Sequence, residues 1–243
     1  MESAEKKIVR QHLEMEDFFT GGLSVKSKKE QPPAKTGRST DISYVTAELE
    51  KIAEEVRRCC KCGLGSSRTN AVPGEGNPNA RIMFVGEGPG ADEDAQGRPF
   101  VGRAGQLLDK IIAAMGLKRS EVYICNILKC RPPDNRDPKP EEIINCLPYL
   151  QRQIELINPE IIVALGAHAA RALLDNNKSI GQLRGIFHEY YPGLGKGPIK
   201  LMATFHPAYL LRNYSHENRQ KVWEDMKKVL AELGLPIPER SEK

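Results

Sequence analysis

The sequence predicts an α/β protein built on a parallel sheet with helices on both faces. Three observations carry this. Four short, continuous apolar runs stand at 81–86 (RIMFVG), 122–128 (VYICNIL), 160–165 (EIIVAL) and 199–205 (IKLMATF). They lack polar alternation, which marks strands buried on both faces. Segments of helical spacing separate them, and strands alternating with helices are the pattern of a parallel sheet with crossover helices.

Each element has a local reason. Val45, Leu49, Ile52, Ala53 and Val56 fall at helical spacing, so 44–58 is predicted helical. The first strand, 81–86, runs into a Gly/Pro-rich turn. Residues 105–115 (GQLLDKIIAAM) form a helix that Gly116 stops. The second strand is 122–128, and a helix over 141–157 is entered through Pro140. The third strand, 160–165, turns at Gly166 into a short helix over 167–174. The fourth is 199–205, and 217–233 is a closing amphipathic helix. Ligands of such sheets bind at the carboxyl ends of the strands. GEGPG at 86–90 follows the first strand, Asn126 is near the end of the second, and His206 follows the fourth. The predicted fold brings these distant turns together.

The chain has 243 residues, one domain or one domain with a tail. The tail is residues 1–42. Its segment 21–41 (GGLSVKSKKEQPPAKTGRSTD) is polar, basic and rich in Pro, Gly and Ser, so a flexible tail is expected, with the folded domain over 43–243. No stretch of about 18 apolar residues exists, so no membrane span is expected. The N-terminus has no apolar run of signal-peptide type, which predicts a protein that is not secreted. Lys plus Arg is 36 against 32 for Asp plus Glu, a net charge of +4 that permits a nucleic-acid partner without arguing for one.

Six cysteines, 59, 60, 62, 125, 130 and 146, lie in one stretch, and the long flanks have none. In an intracellular chain they read as metal ligands or reactive thiols before disulfides. Cys59-x-x-Cys62 is a chelating pair, and Cys130 and Cys146 are separated by 15 residues. Four thiolates suit either zinc or a [4Fe–4S] cluster. The 67 residues between the pairs are unlike a compact zinc ribbon, which leans toward a cluster. Ordinary buried cysteines are the plain alternative. Cys125 lies inside a strand and reads as core. Cys60 could compete with Cys59, but only Cys59 gives the two-residue spacing to Cys62.

Gly86-Glu87-Gly88-Pro89-Gly90 matches neither the dinucleotide fingerprint GxGxxG nor the P-loop GxxxxGK[ST]. A carboxylate inside the turn opposes anion binding. It favours general-base or cation-stabilising chemistry, with a solvated loop glutamate as the alternative.

Taken together, Cys59-x-x-Cys62, GEGPGADEDAQGRPFVGRAGQLLD (86–109), NILKCRPPDNRDPKPEEIINC (126–146) and TFHPAYLLR (204–212) resemble the family 4, iron–sulfur type of uracil-DNA glycosylase. The resemblance runs from roughly Leu49 to Leu233, in order and in spacing. Family members often carry Ala where Gly88 stands. The resemblance implies a three-layer α/β/α fold with a four-stranded, mostly parallel sheet. It implies a structural [4Fe–4S] cluster on Cys59, Cys62, Cys130 and Cys146. It also implies a monofunctional DNA-repair hydrolase, which flips uracil out of single- or double-stranded DNA and cuts its N-glycosidic bond. The abasic site left behind starts base excision repair.

The same resemblance assigns roles. Glu87 faces the sugar, orients water and stabilises the oxocarbenium-like centre. His206 donates to uracil O2 as negative charge develops, helped by backbone N–H groups of the turn around Gly86 and Gly88. Asn126 reads the uracil edge, a donor to O4 and an acceptor for N3–H, a pattern cytosine reverses. Phe100 stacks on the flipped base. Glu93 crowds uracil C5 and excludes thymine. Pro207-Ala208-Tyr209-Leu210-Leu211-Arg212 is expected as a loop entering the minor groove, with Leu210 or Leu211 as wedge. Arg212, Lys129 and Arg131 are candidates for phosphate contacts. His12, His168, His188 and His216 lack a setting like that of His206.

His12-x-x-Met15-x-x-Phe18-Phe19 has the spacing of a sliding-clamp-binding peptide with His in place of Gln, so a clamp is a candidate partner. A helix docked on the core is the alternative for this stretch. A cytoplasmic, nucleoid-associated monomer is expected. Two competing readings are a non-catalytic or covalent uracil-DNA binding protein of the same superfamily and an iron–sulfur electron carrier. Covalent relatives carry an extra basic loop, and no such insertion precedes Phe205-His206. The electron carrier leaves GEGPG, Asn126 and HPAYLL unexplained.

Overall fold

A computed structural model describes residues 14, 18–19, 41–193 and 197–238. In chain order the first elements are α1 (Ile42–Arg58), α2 (Leu64–Ser67), β1 (Glu75–Gly76), β2 (Ile82–Gly86), α3 (Ala91–Gln96) and α4 (Arg103–Ala114). Then come β3 (Tyr123–Asn126), α5 (Pro140–Ile157), β4 (Ile161–Leu165), α6 (Ala167–Leu174) and α7 (Ile180–Leu183). The last are β5 (Phe187–Tyr190), β6 (Ile199–Thr204), α8 (Pro207–Arg212) and α9 (His216–Glu232).

The strands order β1-β3-β2-β4-β6-β5 in one sheet. The four strands read from the sequence are its parallel centre, pairing β3–β2, β2–β4 and β4–β6. The sheet has six strands rather than the expected four, because β1 and β5 add antiparallel edges. Neither edge shows as an apolar run. β1 is two residues long, and the apolar ends of β5 (FHEY) are interrupted by His188 and Glu189.

Side chains alternate across the central strands with period two. Ile82, Phe84, Ile124, Ile161, Val163 and Met202 pack with α4 and α9 on one face. Met83, Val85, Tyr123, Cys125, Ile162, Ala164 and Leu201 pack with α5 and α6 on the other. The fold is therefore the three-layer α/β/α arrangement. A third cluster joins α1, α5 and the segment after β3, through Ile52, Val56, Leu128 and Tyr149. Among the described residues no helix is long and apolar enough to cross a membrane.

Two expectations change. The 207–212 stretch is the helix α8 rather than a loop: Pro207 stands in its first turn and the His206 side chain caps it. Part of the expected tail is packed on the body. Phe19 is buried in the same cluster as Leu210 and Trp223, and Phe18 lies edge-on to it at 4.8 Å. The Arg219 guanidinium sits over the Phe18 ring at 4.8 Å and donates to Glu14 O at 3.0 Å. His12 and Met15 of the clamp-like spacing lie outside the described residues.

Candidate active site

β2 neighbours both β3 and β4, and the chain leaves β2 toward β3 but leaves β4 toward β6. A crevice at such a reversal is where α/β sheets bind ligands. A pocket of about 450 Å³ opens there, lined by Glu87, Gly88, Glu93, Phe100, Asn126, His168, His206 and Arg212 among others. The three turns singled out in the sequence do meet.

Asn126 ends β3 directly opposite Gly86 of β2. Its side chain is 1 % exposed, and its Oδ1 is buried without a hydrogen-bond partner. Leaving such an acceptor unpaired costs roughly 1–3 kcal/mol, so a ligand donor is the natural complement. A Cβ on residue 86 would stand 2.4 Å from that oxygen and 2.6 Å from Phe100 Cζ. Only glycine leaves room for both. Residue 88 is different: a Cβ there would meet Leu128 Cβ at 3.4 Å, an ordinary contact.

Phe100 takes φ 51°, a left-handed backbone that costs a non-glycine residue about 1–3 kcal/mol. Arg119 holds it there by donating to Pro99 O at 2.6 Å and Phe100 O at 3.2 Å. Gly105 allows the turn, since a Cβ there would stand 2.0 Å from the Phe100 carbonyl. The Phe100 ring ends 5.6 Å from the His206 ring, tilted by 32°. Arg119 carried no signal in the sequence, because its role depends on a carbonyl twenty residues away.

His206 Nδ1 accepts the Ala208 N–H at 3.1 Å. In the neutral ring the proton is thereby placed on Nε2. Burial, with the Arg212 charge adding to it, pushes the imidazole down to about 4, so the neutral form prevails near pH 7.

Glu87 leads the turn after β2. Burial raises its carboxyl above the usual range; His168 and Arg212 pull it down, and Asp137 pushes it up. Its Oε2 stands 3.9 Å from His168 Nε2, which stands 3.6 Å from Asp137 Oδ1. His168 therefore has a setting after all. The sequence hid it, because His168 and Asp137 meet Glu87 only through the third dimension.

Glu93 lines the pocket, but its carboxylate is committed to backbone. Oε1 accepts from Val101 N and Gly102 N at 2.9 Å each, and Oε2 from Gly90 N at 3.0 Å. It staples the start of α3 to the Phe100 turn. Lys129 corrects another expectation. It is 1 % exposed, and its Nζ donates to Asn126 O at 2.9 Å and Gln153 Oε1 at 2.7 Å. An ammonium so enclosed supports Asn126 and is out of reach of a phosphate. Arg131 donates to Asn135 Oδ1 at 2.8 Å, and Arg212 is exposed at the end of α8. Leu210 is 1 % exposed in the core and Leu211 is half-buried beside it, so of the two candidate wedges only Leu211 is accessible. Pro207 is buried, while Ala208 and Tyr209 line the pocket.

Cys59, Cys62, Cys130 and Cys146 converge in the third core cluster. None of the four is paired in a disulfide. Cys130 Sγ accepts from Arg68 Nη1 at 2.9 Å, and Cys146 Sγ accepts from Lys129 N at 3.2 Å. Burial pushes the Cys146 thiol up to about 11 and raises Cys130. A set of four sulfurs with N–H donors and cations beside it fits a metal or cluster that holds thiolates. Cys60 is exposed and Cys125 is buried in β3, away from this set.

The model of the Uracil DNA glycosylase superfamily matches residues 73–227. The chain belongs to the uracil-DNA glycosylase superfamily. It is 51 % identical over 188 residues to a Type-4 uracil-DNA glycosylase of Thermotoga maritima, covering 76 % of this chain and 95 % of that one. A Type-4 uracil-DNA glycosylase of Sulfurisphaera tokodaii is 49 % identical, with 77 % and 85 % covered. A Type-5 uracil-DNA glycosylase of Pyrobaculum aerophilum is more distant, at 32 % over 67 % of this chain and 76 % of that one.

Proposed function

We propose that the protein is a uracil-DNA glycosylase of DNA repair that flips uracil out of DNA, hydrolyses its N-glycosidic bond and leaves an abasic site. The observation that carries this reading is the buried, unpartnered Asn126 Oδ1 in the pocket. Uracil N3–H is the donor it lacks, and the Asn126 amide N–H₂ then meets O4. Cytosine presents the opposite pattern and leaves the buried amide unpaired. Flipping costs a few kcal/mol of unstacking, and Phe100 supplies a ring for the extruded base to stack on.

Cleavage builds negative charge on uracil and positive charge on the sugar. His206, neutral with its proton on Nε2, donates to O2 as the charge grows, a preformed donor that needs no reorganisation. Glu87 serves the other partner. Its carboxylate stabilises the oxocarbenium-like sugar and orients the water that adds hydroxide to C1′. The water's remaining proton neutralises the uracil anion. Arg212 and Arg131 contact phosphates, and Leu211 fills the space the base leaves.

We read the four cysteines as holding a [4Fe–4S] cluster, which supplies a cross-link between α1, the segment after β3 and α5. The substrates are uracil-containing single- and double-stranded DNA in the cytoplasm, met by a monomer. Clamp binding through residues 12–19 would first require Phe18 and Phe19 to leave their seat on the body. A single-stranded oligonucleotide with one deoxyuridine tests the reaction. Free uracil and an alkali-labile site are expected. An intact oligonucleotide that stays bound to the protein would make it a binding protein instead.

A further inference from the structure

We propose that His168 is a positioning residue of the excision reaction, standing between Glu87 and Asp137, keeping the Glu87 carboxylate ionised and tying it to the 133–139 segment. The proposal rests on the reading that Glu87 acts as a carboxylate. It goes beyond that reading in naming what controls it.

The geometry is built from three elements. Gly166 turns the chain from β4 into α6 at φ +93°, and its Cα is pressed toward His206, since a Cβ there would stand 3.1 Å from His206 Cβ. That fixes the first turn of α6, which carries His168. Its Nε2 faces Glu87 Oε2 at 3.9 Å and Asp137 Oδ1 at 3.6 Å. The Asp137 side chain is 82 % exposed, and its backbone is held by its neighbours. Arg136 grips the buried Glu142 carboxylate at 2.6 and 3.0 Å and donates to Asp137 O at 3.0 Å. Glu142 in turn accepts Lys139 N at 2.8 Å, closing the segment onto α5.

The charges facing Glu87 come from three sides: His168 on α6, Asp137 before α5, and Arg212 on α8. His206 is also in the pocket but is held neutral, and the Glu93 carboxylate is tied to backbone N–H groups. His168 faces both carboxylates, and its effect on Glu87 is to favour the ionised form. Asp137 alone does the reverse to Glu87. The two neighbours therefore act on the Glu87 carboxylate with opposite sign.

The test is the pH profile of single-turnover uracil release by the full chain, its cluster loaded, from a deoxyuridine oligonucleotide. Wild type is compared with His168→Asn, Asp137→Asn and Glu87→Gln. Removing His168 should move the acidic limb to higher pH by about half to one unit, so the loss is about three- to tenfold greater on the limb than on the plateau. Asp137→Asn should move the limb the other way. Profiles that superimpose on wild type, limbs that move in the same direction, or a lowered plateau with an unmoved limb would overturn the proposal. Full activity in Glu87→Gln would instead overturn the reading it rests on.

Discussion

Asn126 Oδ1 and Gly86 are locked together: a Cβ on residue 86 would stand 2.4 Å from that oxygen. The parallel register of β2 and β3 puts the two residues side by side, so the Asn126 amide and the glycine that leaves room for it form one unit. Gly86→Ala must displace Asn126, Phe100 or both. Misplacement by about 1 Å costs on the order of 100-fold in rate, and single-turnover uracil release should fall by that much. Gly88→Ala, with 3.4 Å of room to Leu128 Cβ, should stay near wild type. Equal losses in the two variants would remove the steric argument.

His206 should be neutral at working pH with its proton on Nε2. Nitrogen NMR of the folded protein should show an Nδ1 without a proton and a titration midpoint about 4. The folded value lies below the ordinary 6.5, so the unfolded chain binds the extra proton first. His206 thus contributes stability that is present above about 6.5 and is lost as pH falls toward about 4. A midpoint at the ordinary histidine value would mean the ring is not buried as described.

Cys130→Ser and Cys146→Ser should each remove the brown absorbance and iron and lower the melting temperature. Arg68 makes a subtler variant, because it donates to Cys130 Sγ at 2.9 Å without being a ligand. Arg68→Leu should keep the iron but lose it roughly 10–100-fold more readily to a chelator, the usual cost of removing such support. Unchanged absorbance in both cysteine variants would end the ligand assignment.

The two leucines of α8 should separate. Leu210 is in the core, so Leu210→Ala should cost about 2–5 kcal/mol of unfolding free energy in a denaturant titration. Leu211→Ala should leave stability nearly unchanged and slow excision from duplex more than from single strands, since only a duplex needs the vacated space filled. Equal slowing on both substrates would remove Leu211 as the wedge.

The strands were legible because central strands are apolar on both faces, and 81–86, 160–165 and 199–205 need no partner to be recognised. The edges β1 and β5 were not, since β1 has two residues and His188 and exposed Glu189 break up the apolar residues of β5. Glu87, Asn126 and His206 were legible as polar residues at strand ends. Their support was not. Arg119 on the Phe100 carbonyl, Lys129 under Asn126, and His168 with Asp137 beside Glu87 are contacts across distant elements. Lys129 looked like a surface cation because position alone does not disclose burial. Leu210 and Leu211 were interchangeable until α8 assigned one side chain to the core.

The most direct test of the account is the single-turnover rate of base release from matched oligonucleotides carrying deoxyuridine, deoxycytidine, thymidine or deoxyinosine, with Glu87→Gln alongside wild type. Release of uracil alone, lowered by orders of magnitude in Glu87→Gln, is the expected result. Cytosine released as fast as uracil, or a Glu87→Gln variant as fast as wild type, would contradict it.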